Sequence, residues 1–444
     1  MSDHKRNEGE NHAYRVAFQT LGCKVNQYET DAVRKTFLDL GFVVCEESEN
    51  PDVVVINTCT VTSEADRKSR QMIRRAGRRN PNAVIAAMGC QVEMRRDREN
   101  YGEEVAVGTK SRDQLAERVL AVLEKREYVS DNSDFDPASY PEFGPVISRE
   151  ETRAVIKIQD GCDNFCSYCI IPFARGRIRS RDRHAVLEEA RLLAAEGFSE
   201  IVLTGIHVCS YGRERGESSL SLAELVQEID AIPGIERIRV GSLEPSSLTV
   251  EFVRAIAGAK KLCPHFHVSL QSGSDSVLSR MNRKYTSRDY ESGIRLLRES
   301  FEEMSLTTDI IVGFPGETDA EHRESLRFAE TIGFTKIHVF PYSERIGTRA
   351  ASFPEKVPAR TKLERRDEFL LLSNQSAAAF AEKYIGRSVL MLIESDKLDG
   401  WISGYTPNYI RVHVRSEHST KIGETVPVLV ESVSGGEIYG RILF

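Results

Sequence analysis

The sequence has no long apolar run, no strong excess of either charge and no even complement of cysteines, and each absence removes a class of protein. No stretch approaches the ~18 consecutive apolar residues that a bilayer span needs. The first ten residues, MSDHKRNEGE, are polar and mixed in charge, which does not read as a signal peptide. A cytoplasmic protein with no membrane partner is the expectation. Lys and Arg total 60 against 67 Asp and Glu, a formal net charge of −7. A wholly basic nucleic-acid binder is thereby excluded, and any RNA contact must come from local patches. The nine cysteines are odd in number, and a reducing compartment does not sustain a disulfide framework. At 444 residues, 40% of them hydrophobic, the chain is about three times a ~150-residue domain and buries a core without covalent staples.

What is present is α/β patterning. Residues 1–13 read as a disordered tail. From Tyr14, β-branched apolar runs (YRVAFQT, DVVVINT, AVIAAMG) alternate with helix-like stretches, the signature of parallel βαβ units. This predicts an N-terminal parallel-sheet α/β domain over 14–126, followed by a polar linker over 127–146. A central domain over 147–378 shows six candidate strands, starting near Ala154, Glu200, Arg237, His265, Leu306 and Lys336. Six β/α units suggest a partial (β/α)6 barrel. A charged helical segment covers roughly 360–384. Over 381–444 the texture turns to four short alternating strands with glycines between them, read as a small all-β barrel.

The strongest local signal is Cys162-x3-Cys166-x2-Cys169. Thiolates suit iron–sulfur clusters and zinc, and three of them on a four-iron cluster leave one iron open. A buried helix face would also accept offsets of four and seven, but Gly161, Asn164 and Pro172 favour a loop. A zinc knuckle would want a fourth ligand, and the nearest histidine is His184. Three more cysteines, Cys23, Cys59 and Cys90, each follow a predicted strand, in LGC, NTC and MGC. If those strands are parallel neighbours, the thiols share the sheet edge where α/β ligands bind. Buried structural cysteine is the competing reading. Cys45, Cys209 and Cys263 match no motif and read as structural.

CDNFCSYC resembles the cysteine motif of the radical S-adenosylmethionine (SAM) enzymes, with Tyr168 at the aromatic position. The resemblance implies that the trio holds a [4Fe-4S] cluster whose open iron chelates SAM, and that SAM is cleaved to a 5′-deoxyadenosyl radical. By the same resemblance, Gly205 in LTGIHV, Glu244 in SLEP, Gln271 and Ser272 in LQSGS, and Gly313 in GFPGET line the SAM site. QTLGCKVNQYET, INTCTVT, Gly89–Cys90 and QDGCDNFCSYCIIPFARGRIRSR together resemble the methylthiotransferase branch. That implies a second, auxiliary [4Fe-4S] cluster on Cys23, Cys59 and Cys90, and a C-terminal TRAM barrel. LGCKVNQYET and GYTPNYIRV are most similar to the branch that methylthiolates N6-threonylcarbamoyladenosine at position 37 of tRNA. Sister branches act on N6-isopentenyladenosine or on a ribosomal-protein aspartate. An external electron donor is implied, with the sulfur source open. No side-chain general base is required. A non-catalytic iron–sulfur carrier and a zinc-stabilised RNA-binding protein are the alternatives from other classes.

Two basic stretches stand out as RNA-contact candidates. A helix opening after Ser63 as N-cap would place Arg67, Arg70, Arg74 and Arg78 on one face. The second runs Arg175, Arg177, Arg179, Arg181, Arg183, directly after the cysteine trio. Arginine suits phosphate because its planar fork binds two oxygens. In the barrel, Trp401, Tyr405 and Tyr409 read as core, with base stacking as the alternative.

Overall fold

The computed structural model describes residues 13–95, 100–127, 140–147, 152–398, 400–415 and 421–443. The predicted tail and most of the predicted linker lie outside them. The chain forms two compact units, Met1–Pro137 and Ala138–Phe444.

The first unit runs β1 (Arg15–Thr20), α1 (Lys24–Asp39), β2 (Val43–Val44), β3 (Val53–Thr58), α2 (Ser63–Arg79), β4 (Val84–Gly89), α3 (Cys90–Glu93), β5 (Val105–Val107) and α4 (Leu115–Leu123). All five strands pair in parallel, in the order β2-β1-β3-β4-β5. The central strand β3 (VVVINT) is buried at every position, as a parallel strand covered on both faces must be. Val54, Ile56, Ile85 and Ala87 pack against Ile73 and Ala76 of α2. The N-cap of α2 is Thr62, whose hydroxyl accepts from the Ala65 amide at 3.1 Å. The expected cap, Ser63, is instead the first helical residue.

The second unit opens with β6 (Ala154–Asp160), α5 (Ile171–Arg175), β7 (Arg179–Ser180), α6 (Arg183–Ala195), β8 (Glu200–Gly205), α7 (Ser221–Asp230), β9 (Arg237–Val240), α8 (Val250–Ile256) and β10 (His265–His267). It continues through α9 (Asp275–Arg280), α10 (Ser287–Ser300), β11 (Ser305–Val312), α11 (Asp319–Ile332), β12 (Lys336–Pro341) and α12 (Ala359–Glu382). All six expected strands are present and parallel: β6-β8-β9 form one run and β10-β11-β12 another. Parallel bridges Ile238↔Leu262 and Leu243↔Val268 join the runs. One apolar cluster from Ile156 to Phe369 fills the space between this sheet and its helices. Residues from the end of the predicted linker pack on this unit: Tyr140 donates to the Lys157 carbonyl (2.9 Å), and Glu142 pairs with Arg181.

The chain ends in a closed five-stranded barrel of β13 (Ser388–Leu398), β14 (Trp401–Tyr405), β15 (Arg411–Arg415), β16 (Thr425–Ser434) and β17 (Glu437–Ile442). Strand β14, WISGY, was not among the four expected. Its core is Met391, Ile393, Ile402, Val412, Val414, Val428, Val430 and Ile438. Trp401, Tyr405 and Tyr409 lie outside that core, which corrects the expectation for them. Tyr405 and Tyr409 stack on each other (4.5 Å between centroids), and Tyr409 also stacks on His265 (4.7 Å). Arg239 donates to the Pro407 and Thr406 carbonyls at 2.7 and 2.9 Å, and Arg237 to the Tyr405 carbonyl at 3.2 Å. The two tyrosines therefore dock the barrel on the starts of β9 and β10.

Candidate metal centres and cofactor site

In the first unit, parallel register sets the positions of three thiols. Thr20 pairs with Asn57, and Thr58 with Gly89, so Cys23, Cys59 and Cys90 all follow the carboxyl ends of adjacent strands. A Cβ on Gly22 would stand 3.3 Å from Cys59 Cβ, so the first and second cysteine loops touch. Gly89 has φ 103°, and a Cβ there would meet the Thr58 carbonyl at 2.6 Å. Only glycine lets the chain turn there from β4 into Cys90. Asn26 ties the loops together, its amide donating to the Leu21 carbonyl (2.8 Å) and the Thr58 carbonyl (3.1 Å). Cys23 is exposed, while Cys59 and Cys90 are buried.

In the second unit, the loop after β6 carries the other trio. Gly161 (φ 74°) faces the Arg177 carbonyl so closely that a Cβ would stand 1.9 Å from it. Cys162 Sγ accepts from the Asn164 amide (3.5 Å), and Cys166 Sγ from Arg283 Nη1 (3.2 Å). Burial pushes the Cys162 thiol up to about 11 and that of Cys169 up to about 12. Neighbouring half-buried thiols, two of them with N–H donors aimed at sulfur, fit a cluster, because ligation stabilises the thiolates that desolvation alone disfavours. Among the described residues no three Cys, His, Asp or Glu side chains gather at the spacing of a single bound ion.

The expected SAM-lining residues sit at the strand ends around this loop. Tyr168 packs against the cluster of Val277, Met281, Phe314 and Tyr342, and burial pushes its phenol up. Gln271, just past β10, is held at φ 69° and bridges to β11 through backbone bonds with Asp309 and Ile311. Ser272 beside it is buried. Gly205 ends β8 and Gly313 directly follows β11, but their Cβ directions meet Gln159 and Lys362. Their small size thus serves packing within the chain. Glu244 is buried against Arg283 (2.7 Å); burial pushes its carboxyl up, with Arg283 opposing.

Two residues went unnoticed in the sequence. Arg283 also donates to the Tyr285 hydroxyl (3.0 Å), so one guanidinium connects cluster thiol, carboxylate and phenol. His207 lies 3.9 Å from Glu244, and burial next to Arg283 pushes it down to about 4, a neutral imidazole. No local pattern marks Arg283, which stands 117 residues from Cys166.

The basic stretches divide. On α2, Arg67 pairs with Glu64 (2.8 Å), and Arg70 pairs with Asp66 while lying over Tyr101. Arg74, Arg75 and Arg78, with Lys68, Gln71 and Leu21, line an open cavity of about 560 Å³. The second stretch is largely neutralised. Arg175 and Arg179 are buried on Asp160 (3.1 and 3.6 Å) and Arg181 on Glu142 and Glu189, while the half-buried Arg183 pairs with Glu224 and Glu228. Arg175 is therefore corrected from RNA contact to buried ion pair. Arg177 alone of the five points outward, its side chain 73% exposed. Cys209 accepts from the Glu244 amide (3.4 Å) and Cys263 is buried, and burial pushes both thiols up to about 11.

The partial barrel with its strand-end cysteine loop defines a radical SAM core. The profile of the radical SAM superfamily matches residues 156–329, and that described as uncharacterized protein family UPF0004 matches 15–107. The chain is 39% identical to the threonylcarbamoyladenosine tRNA methylthiotransferase MtaB of Bacillus subtilis, over 94% of this chain and 93% of the relative. It is 37% identical to the same-named protein of Aquifex aeolicus (94% and 100%) and 34% identical to the tRNA-2-methylthio-N(6)-dimethylallyladenosine synthase of Pelotomaculum thermopropionicum (97% and 98%). In fold it is similar to the radical SAM methyltransferase TsrM of Kitasatospora setae, at a TM-score of 0.55 and 18% identity over 87% of this chain and 79% of that one. The chain belongs to the radical SAM methylthiotransferase family, whose members carry two [4Fe-4S] clusters and use SAM. Among the described residues no helix is long and apolar enough to cross a membrane.

Proposed function

We propose that this chain converts N6-threonylcarbamoyladenosine at position 37 of tRNA to its 2-methylthio derivative. The observation that carries the substrate is the order of resemblance. Four relatives named for threonylcarbamoyladenosine are 35–39% identical to this chain, whereas four named for dimethylallyladenosine are 32–34% identical.

Cys162, Cys166 and Cys169 hold the cluster that binds SAM, with the Asn164 amide and Arg283 donating to its thiolates. Cys23, Cys59 and Cys90 hold the auxiliary cluster. When bound, SAM and the two clusters supply a carbon radical strong enough for the unactivated C2–H of adenine, a transferable sulfur and a methyl group. Tyr168, Glu244, Gln271 and Ser272, with the backbone at Gly205 and Gly313, form the SAM-side wall. Arg74, Arg75 and Arg78 meet RNA phosphate, as arginine forks do; Arg67, Lys68 and Arg70 contribute less because Glu64 and Asp66 neutralise them. The enzyme draws on an external one-electron donor and a sulfur source, and works in the cytoplasm.

The test is nucleoside mass spectrometry of tRNA from cells lacking this protein. Loss of the methylthio group from threonylcarbamoyladenosine alone is the expected result; loss from isopentenyladenosine instead would move the chain to the sister branch. In vitro, Cys90→Ala should still cleave SAM while forming no methylthiolated product.

A further inference from the structure

The loop between Cys162 and Cys166 presents an aromatic surface that cluster binding does not require. Phe165 sits at φ 46°, a conformation costly for a residue with a Cβ. Asn282 holds it there, its amide donating to the Phe165 carbonyl at 3.0 Å. The Phe165 ring meets Phe173 edge-on, with centroids 6.0 Å apart at 84°. Phe173, on α5, is 50% exposed. The Arg177 guanidinium lies 4.9 Å from the Phe165 ring centroid, and its acidic neighbour, Asp163, is 3.5 Å away. Single exposed apolar residues are ordinary. Two phenyl rings and an outward arginine in mutual contact, one ring on a strained loop one residue from Cys166, are not scattered exposure.

We propose that Phe165, Phe173 and Arg177 form a stacking platform for an unpaired nucleobase of the substrate RNA, beside the core cluster. The proposal rests on the tRNA reading above and adds where the loop is gripped. Unpaired bases are recognised by stacking on aromatic rings and guanidinium planes, and a neighbouring cation meets their phosphate. The charge pattern favours RNA over an apolar peptide. In a chain of net charge −7, four of the five arginines between 175 and 183 are paired internally, and the one left outward stands on this aromatic pair. The flank of a tRNA anticodon loop supplies both unpaired bases and phosphates.

The experiment uses the full chain with both clusters reconstituted anaerobically. The probe is an anticodon stem–loop RNA with 2-aminopurine next to the target adenosine. Wild type should bind it and quench the probe through stacking. Phe173→Leu, which keeps apolar volume but removes the ring face, should weaken binding about tenfold and abolish the quench, leaving the salt dependence unchanged. Arg177→Gln should lower the slope of log affinity against log salt by about one. Iron content and circular dichroism identify folded variants, and Phe173→Ala provides a second variant at the same exposed position. Wild-type affinity and quench in both Phe173 variants would overturn the platform and assign the surface to another occupant. Failure of wild type to bind the stem–loop would instead sink the tRNA reading itself.

Discussion

Replacing Arg283 by Gln tests the reading of the core site most sharply. The guanidinium and the Glu244 carboxylate are almost fully enclosed, with 5% and 10% of their side chains exposed, at 2.7 Å. Removing one partner of such a pair strands the other charge, at a cost of about 3–5 kcal/mol. For a unit of this size, 3 kcal/mol lowers Tm by about 5 °C. The loss should depend on pH. Burial already raises the Glu244 carboxyl above its ordinary value against the pull of Arg283. A carboxyl raised on folding contributes stability that is complete below its unfolded value and is lost as pH climbs through the folded one. Without Arg283 the folded value climbs further, so the deficit should be large at about pH 7.5 and smaller at about pH 5.5. The single tryptophan, Trp401, belongs to the barrel of the same unit, so its fluorescence follows this unit in urea. A deficit under about 1 kcal/mol at the higher pH, or an equal deficit at both, would refute the argument. With the cluster in place, losing a charged donor to Cys166 should also make the core cluster harder to reduce, read by potentiometry with electron paramagnetic resonance.

Two further outcomes follow from geometry already described. Gly89→Ala forces a Cβ against the Thr58 carbonyl and should halve the iron bound while SAM-dependent cleavage persists; full iron content would contradict the assigned role of that turn. Converting Arg75 and Arg78 together to Gln should reduce the salt slope of tRNA binding by about two, measured by filter binding across a salt series, whereas Arg67→Gln should change it little because Glu64 already neutralises that side chain.

The placement of Cys23, Cys59 and Cys90 beside one another in the sheet was legible because each follows a strand whose apolar pattern fixes its register, so strand-end position became spatial position. The six core strands were legible for the same reason. Strand β14 was not, because WISGY is short and its Ser403 and Gly404 break the alternation. The run from Arg175 to Arg183 misled because spacing cannot show where acids from elsewhere will fold; Asp160, Glu142 and Glu224 arrive from separate segments. Arg283 and the docking of Tyr405 and Tyr409 depend on contacts more than a hundred residues apart in the chain. No local window contains both partners.

The barrel is held at its seam by arginines gripping main-chain oxygens at 405–407, groups that every amino acid possesses. Thr406, whose buried hydroxyl donates to Asn408 Oδ1 and accepts from the Ile410 amide, keeps that turn in shape so that its carbonyls stay aimed at the arginines. Removing that one hydroxyl would therefore loosen the seam without touching either arginine.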